Sequence, residues 1–140
     1  MKYLLCAALV VMAAPTAAQS SADEQAVRTV INQYFRGHAT ADSNEMRKAF
    51  HPTAHVEGNR DGKFVSWTAE VYAKGFAGKP APDEATRKRT IDRVEISGDA
   101  AMASATLVHG ATTFTDYFVL LKINNEWKIA NKVYTSSPTK

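Results

Sequence analysis

The last third of the chain alternates apolar and polar residues, and short turn signals interrupt this alternation. Strands are predicted at 91–96, 100–108, 112–123 and 126–134. The turn signals between them are Gly98-Asp99, His109-Gly110 and Asn124-Asn125. Four consecutive strands joined by tight turns form an antiparallel meander, and its apolar face must be covered by other elements.

The preceding segment can supply that cover, because its apolar residues recur at helical spacing. A long first helix is predicted from Ser21, which has capping-box spacing to Glu24. Its buried stripe is Val27, Val30, Ile31, Tyr34, Phe35 and His38. The other predicted elements are a helix after Asp42, a strand at 54–57, a turn at Asp61-Gly62 and a helix after Thr68. Helices followed by a meander predict an α+β fold with the helices on one face of the sheet.

The predicted turns also determine which residues face the helices, since directly opposed residues of paired strands share a face. Two-residue turns place Val133 beside Asp116 and Asn131 beside Phe118. The resulting face is apolar except for Asp116 and Asn131. Lys132 falls on the opposite face, which suits solvent or a partner subunit.

Asp116 is therefore the most informative residue of the sequence. A carboxylate among apolar neighbours must be hydrogen-bonded, paired with a cation or kept protonated, and such groups concentrate at functional sites. Tyr34 is expected to cross the same face, where its hydroxyl needs a partner. Together with Asn131, Phe118 and Trp67 at the mouth of a cavity, they form the candidate ligand site. The alternative is a structural Asp116 that bonds nearby backbone or is turned outward by a bulge.

Several classes of site have no support in the sequence. His51 and His55 are four residues apart, but the intervening Pro52 prevents a helix from presenting them together, so no metal site is expected. Nucleophile motifs, phosphate-binding glycine loops and dinucleotide fingerprints are missing, and we expect no cofactor. The basic run at 87–89 lacks interleaved aromatic residues, which argues against nucleic-acid binding, and it is expected to be a solvated strand edge.

Residues 1–18 have the order of a secretory signal peptide, with Lys2, a short apolar run, Pro15 and small residues. The run is shorter than the roughly 20 residues that a membrane-spanning helix needs. We expect cleavage between Ala18 and Gln19 and a single domain, residues 19–140, located in the periplasm or secreted and not attached to a membrane. Cleavage removes Cys6, the only cysteine, and leaves 16 basic and 14 acidic residues. Disulfides and thiol chemistry are thereby excluded from the mature domain.

Three segments resemble the nuclear transport factor 2-like superfamily: INQYF in the first helix, then MRKAFHPTAHVEG, then FTDYFVLLKINNEWKIANKVY. Within it, the chain is most similar to a bacterial group described as putative lumazine-binding, a name that implies no demonstrated ligand. The resemblance implies a cone-shaped roll of three helices on a strongly curved, mainly antiparallel sheet. It also implies an internal pocket and a homodimer through the outer sheet face.

Ketosteroid isomerases share this layout and carry a tyrosine on the first helix, a protonated aspartate on a central strand and an aspartate base ending the first strand. By this resemblance, Tyr34 and Asp116 match the first two as candidate catalytic residues. The base position falls on Gly58, which cannot accept a proton.

Three functions remain open at this point. The first is an exported domain that binds a small, partly apolar molecule. The second is a proton-transfer enzyme (a cyclase, isomerase or dehydratase) in which Asp116 is acid or base and Tyr34 is its electrophilic partner. The third is a structural or interaction domain whose pocket has closed. The cavity beside Asp116 is the feature that distinguishes them.

Overall fold

The computed structural model describes residues 17–60 and 62–140. The predicted signal peptide lies outside the described residues, except for its last two positions, which begin the first helix. The elements are α1 (Ala17–Thr40), α2 (Ser43–Ala49), β1 (His55–Arg60), β2 (Lys63–Thr68), α3 (Ala69–Lys74), β3 (Lys88–Ser97), β4 (Ala100–His109), β5 (Thr112–Ile123) and β6 (Glu126–Pro138). Over these ranges, the helices are too short or too polar to cross a membrane.

The strands form one sheet in the order β2-β1-β6-β5-β4-β3. Neighbouring strands are antiparallel except β1 and β6, which are parallel. The predicted meander is β3 to β6, and the β1–β2 hairpin extends it along β6. The α+β fold, with helices packed on one face of a curved and mainly antiparallel sheet, is confirmed.

One hydrophobic core lies between the helices and the inner face of the sheet. It joins the predicted stripe of α1 to alternate residues of β4, β5 and β6. Its largest fully buried side chains include Tyr34, Phe118, Ile31, Met46 and Leu107. The burial of Tyr34 matters most for function, because it brings a hydroxyl to the middle of the sheet.

Of the three predicted helix N-caps, two are confirmed and one is wrong. Asp42 and Thr68 are confirmed, since their side chains accept hydrogen bonds from the amides of Asn44 and Val71 at 2.7 and 3.2 Å. Ser21 is wrong as an N-cap: α1 already begins at Ala17, and alanine is the best helix former.

Strand β2 was not predicted. It has six residues, and its last residue, Thr68, also caps α3. Periodicity over so short a segment is weak, and its Phe64 is 73% exposed.

The pairing of β5 with β6 differs from the prediction in one consequential way. Leu120 pairs with Ile129 as predicted, but the next pair is Val119 with Asn131, so Ala130 forms a bulge. Beyond the bulge, every residue of β6 changes face, because side chains alternate with a period of two. The bulge lies where the chain leaving α2 meets β6, and the His51 amide donates to the Ile129 carbonyl at 2.9 Å.

The predicted faces of three β6 residues are therefore wrong. Asn131 and Val133 lie on the outer face, whereas Lys132 lies on the inner face and is 3% exposed. Asp116 pairs with Tyr134 and not with Val133. Because of the bulge, the interior contains the ammonium group of Lys132 where the amide of Asn131 was predicted.

Candidate functional site

A pocket of about 450 Å³ lies between the inner sheet face and helices α1 and α3. Its aromatic lining consists of Tyr34, Trp67, Tyr72, Phe76, Phe114 and Tyr134. Its polar lining includes His38, Arg60, His109, Asp116, Lys132 and Ser136. The expectation of a cavity beside Asp116 is met, and side chains do not fill it.

The floor of the pocket is a buried ion pair. Lys132 Nζ donates to Asp116 Oδ1 at 2.9 Å, and both side chains are at most 3% exposed. The Tyr34 hydroxyl donates to Asp116 Oδ2 at 2.6 Å. Asp116 is thus both hydrogen-bonded and paired with a cation, which are two of the three ways to stabilise a buried carboxylate.

Aromatic rings surround the other side of the Lys132 ammonium. Its nitrogen lies 5.2 Å from the ring centre of Tyr34, 5.5 Å from that of Tyr72 and 4.9 Å from that of Tyr134. Such ring faces attract a cation. Burial nevertheless lowers the pKa of Lys132, and the charge and hydrogen bond of Asp116 oppose that shift.

A row of hydrogen-bonded polar side chains extends from Tyr34 along the pocket wall. The hydroxyl oxygens of Tyr72 and Tyr34 are 3.4 Å apart, and the Tyr72 oxygen lies 3.1 Å from His38 Nε2. Burial, followed by the charge of Asp116, raises the pKa of both tyrosines. Burial, followed by the charge of Lys132, holds the pKa of His38 well below its ordinary value. These side chains are therefore neutral near pH 7.

His109, the last residue of β4, faces the same wall. Burial and then the charges of Arg89 and Arg87 lower the pKa of His109 to about 4. Within the described part of the chain, its buried Nε2 has no hydrogen-bond partner. The expectation of a solvated basic edge is wrong for Arg89, whose side chain is 9% exposed and bonds Glu84 at 2.6 Å. No cluster of three or more metal-ligating side chains occurs among the described residues.

Gly58 is a packing requirement of the pocket wall. A Cβ atom at this position would lie 2.5 Å from Cε1 of Tyr134, far inside van der Waals contact. The Tyr134 ring lies nearly parallel to that of Trp67, with the ring centres 6.4 Å apart and 6° between the planes. The position at which the isomerases carry their base is thus overlaid by an aromatic ring.

The structure brings together three of the five predicted site residues: Tyr34, Trp67 and Asp116 line the pocket. Phe118 lies beneath it, 1% exposed, with its ring centre 5.4 Å from that of Tyr34. Asn131 is outside the pocket because of the β6 bulge. It accepts from the His55 amide and donates to Glu57, at 3.0 and 3.2 Å.

Sequence reasoning missed Lys132, Tyr134, His38 and His109 as pocket residues. A signal for Lys132 existed: pairing with a cation is one of the ways to stabilise a buried aspartate, and Lys132 is adjacent to Val133, the residue expected beside Asp116. For the histidines the signal was weaker, because a helix end and a turn are ordinary histidine positions.

The family model described as putative lumazine-binding matches residues 22–135. The chain belongs to this family. Its resemblance to the nuclear transport factor 2-like superfamily is likewise confirmed by solved structures. Among them is an NTF2-like protein of unknown function from Shewanella baltica OS155, at 29% identity and a TM-score of 0.76. That match covers 90% of this chain and 100% of the other.

Two further solved structures share the fold. An NTF2-like protein of unknown function from Methylobacillus flagellatus KT is 26% identical, with a TM-score of 0.73 and coverage of 83% and 93%. A putative ketosteroid isomerase from Shewanella frigidimarina NCIMB 400 has a TM-score of 0.56 at 15% identity, over 79% of this chain and 94% of the other, and shows only the shared fold. The curated proteins contain no match to this chain.

Proposed function

We propose that this domain binds a small, planar, partly apolar molecule in the pocket above the Asp116–Lys132 pair. The observation that carries the proposal is an unfilled pocket of about 450 Å³ with aromatic walls and a buried ionic floor. Small-molecule sites are typically concave, mainly apolar, and equipped with a few convergent polar groups. A closed structural domain would have filled this space with side chains.

The lining favours a flat ring system over a flexible chain. Trp67, Tyr134 and Tyr72 present ring faces and edges, and aromatic pairs add about 0.5–1.5 kcal/mol beyond the burial of their area. Polar edges of the ligand would meet Lys132 and the free Nε2 of His109. Lumazine, the bicyclic ring named in the family description, has this character and is the first probe to use.

A pair of tryptophan substitutions tests the proposal. Ser136 lines the pocket, whereas its neighbour Ser137 is on the opposite face, and both are exposed residues of β6. Thermal shift and calorimetric titration with lumazine and 2-naphthylmethanol should show binding to the wild type and to S137W, and none to S136W. A ligand at about 100 times its Kd stabilises the fold by roughly 2.7 kcal/mol. Equal binding by both variants, or no binding of either probe to the wild type, contradicts the proposal.

We further propose export of the domain, on the basis of residues 1–18 alone. Cell fractionation should recover a mature chain beginning at Gln19 in the periplasm or medium. An intact N-terminus on a cytoplasmic protein would contradict this proposal.

Finally, we propose a homodimer through the outer sheet face. Met102 is opposite Val119 and Tyr117 is opposite Val133, and each of the four is at least 44% exposed. Cross-strand neighbours of this kind form a continuous apolar patch, which is typical of an interface. Light scattering should give a dimer mass for the wild type and a monomer mass for V119K. A monomeric wild type would contradict the proposal.

A further inference from the structure

The ammonium group of Lys132 has an unusual set of neighbours. One N–H donates to Asp116, and no other oxygen or nitrogen of the described residues accepts a hydrogen bond from it. The nitrogen also lies within 5.5 Å of the ring centres of Tyr34, Tyr72 and Tyr134. Lys132 lines the pocket and is only 3% exposed, so its nitrogen is shielded from bulk solvent and lies next to a carboxylate that can take its proton.

We propose that Lys132 is an amine nucleophile that forms a Schiff base with a planar aldehyde or ketone bound in the pocket. This inference rests on the proposed binding function and extends it by naming the chemical class of the ligand. The carbonyl carbon would lie over Lys132 Nζ, with the ring system among the aromatic side chains. Lysines held in desolvated pockets are the ones used in this way by enzymes.

The step balances without any further reagent. Lys132 transfers one proton to Asp116, and the free amine attacks the carbonyl carbon to form a C–N bond. A proton moves from this nitrogen to the carbonyl oxygen to give a carbinolamine, whose hydroxyl group then leaves as water with the proton held by Asp116. The product is a protonated imine, whose single positive charge replaces that of the ammonium. Asp116 becomes its counter-ion at the same position.

The residues around Lys132 support both its deprotonation and the later loss of water. Burial lowers the pKa of Lys132, which increases the fraction of free amine. The Tyr34 hydroxyl donates to the second oxygen of Asp116 and holds that carboxylate in place. Among the described residues, Lys122 is the other lysine in a short ion pair with an aspartate, and it does not line the pocket, so it offers an internal comparison.

Reductive trapping tests this proposal. The folded protein is incubated with 2-naphthaldehyde and cyanoborohydride, which reduces the protonated imine and spares the free aldehyde, and is then digested and mapped by mass spectrometry. We expect labelling of Lys132 to exceed that of the exposed Lys79 by about tenfold or more. Excess 2-naphthylmethanol, which occupies the pocket but has no carbonyl, should suppress the labelling of Lys132 and leave that of Lys79 unchanged.

The outcomes separate the two proposals. Binding of the alcohol without preferential labelling of Lys132 overturns the Schiff base and leaves the binding function intact. Failure of both probes to bind or label the pocket overturns both. K132R keeps the charge and removes the amine, so it should abolish the pocket label. The double variant D116N/K132M removes the ion pair without leaving a buried charge and should give the same loss if K132R does not fold.

Discussion

Two aspartate–lysine pairs in this domain have nearly the same bonds and different surroundings. Asp23 of α1 accepts from Lys122 at 2.8 Å and Trp127 at 3.1 Å. Asp116 accepts from Lys132 and Tyr34 at similar distances. The Asp23–Lys122 side chains are 12% and 19% exposed, whereas those of Asp116 and Lys132 are 2% and 3% exposed.

This difference separates a structural contact from a candidate site. Asp23 ties α1 to the β5–β6 hairpin, and hydrogen bonds, first from Lys122, lower the pKa of Asp23 to about 2. Neither it nor Lys122 lines the pocket. The buried pair, in contrast, lies under an unfilled space lined by rings. Both pairs join an aspartate to a lysine, and they differ in whether a pocket adjoins the pair. That difference decides which of them can contact a ligand.

Substitution of the lysine in each pair should give the largest difference in the free energy of unfolding. K132M leaves a buried, unpaired Asp116, and we expect the free energy of unfolding to fall by about 3–5 kcal/mol. K122M leaves an Asp23 that is more exposed than Asp116 and retains hydrogen bonds from Gln19 and Trp127, so the expected loss is clearly smaller. Urea unfolding measures both, and D116N/K132M should recover most of the larger loss. Equal losses would refute the distinction between the two pairs.

Removal of the Tyr34 hydroxyl should have the next largest effect on the free energy of unfolding. Y34F removes a buried hydrogen bond to a charged acceptor and should reduce the free energy of unfolding by about 1.5–3 kcal/mol. Y117F is the matched control when both substitutions are made in the monomeric V119K variant, because Tyr117 is 54% exposed on the outer face and should then change stability by less than about 0.5 kcal/mol. The same urea experiment compares them, and a neutral Y34F would show that Asp116 does not depend on this bond.

The wall beside Lys132 can be tested through Gly58. G58A places a methyl group where the Tyr134 ring lies, and such overpacking should destabilise by about 1–3 kcal/mol. In a double-mutant cycle with Y134A, we expect a coupling energy of roughly 0.5–3 kcal/mol, since removal of the ring relieves the clash. Additive losses would mean that the two residues are independent.

The last prediction concerns the dependence of stability on pH. His109 has a pKa of about 4 in the fold, lowered by burial, so the unfolded chain binds more protons between about pH 6.5 and 4. Stability should fall as the pH falls through this window, and H109Q should make the fall shallower. The contribution of Asp23 is present above its unfolded pKa of 3.8 and is lost only as the pH falls toward 2. Unfolding curves at stepped pH separate the two windows, and an unchanged slope in H109Q would contradict the assignment.

Most of the fold was predictable because alternation over ten or more residues is a strong signal. The strands from β3 to β6 and the pairing of Asp116 with Ala105 followed from it, and the three helices followed from apolar residues at helical spacing and from the capping residues. The placement of Tyr34 near Asp116 followed as well. These are consequences of period, register and helix capping.

The errors have one main physical source. A bulge at Ala130 has no distinctive residue pattern, because any residue that tolerates the local bend can form it. Each position after the bulge was assigned to the wrong face, so Asn131 was predicted in the pocket in place of Lys132. The expected site had the right aspartate and tyrosine and lacked its cation.

Lysine NMR gives the most direct test of the central claim, that Lys132 forms the floor of a ligand pocket and Lys122 does not. In protein labelled with ¹³C at lysine Cε, K132R and K122R assign the two resonances. Saturation with 2-naphthylmethanol should shift the Lys132 resonance and leave the Lys122 resonance in place. A bound ligand that leaves Lys132 unshifted, or that shifts Lys122 equally, would contradict the account.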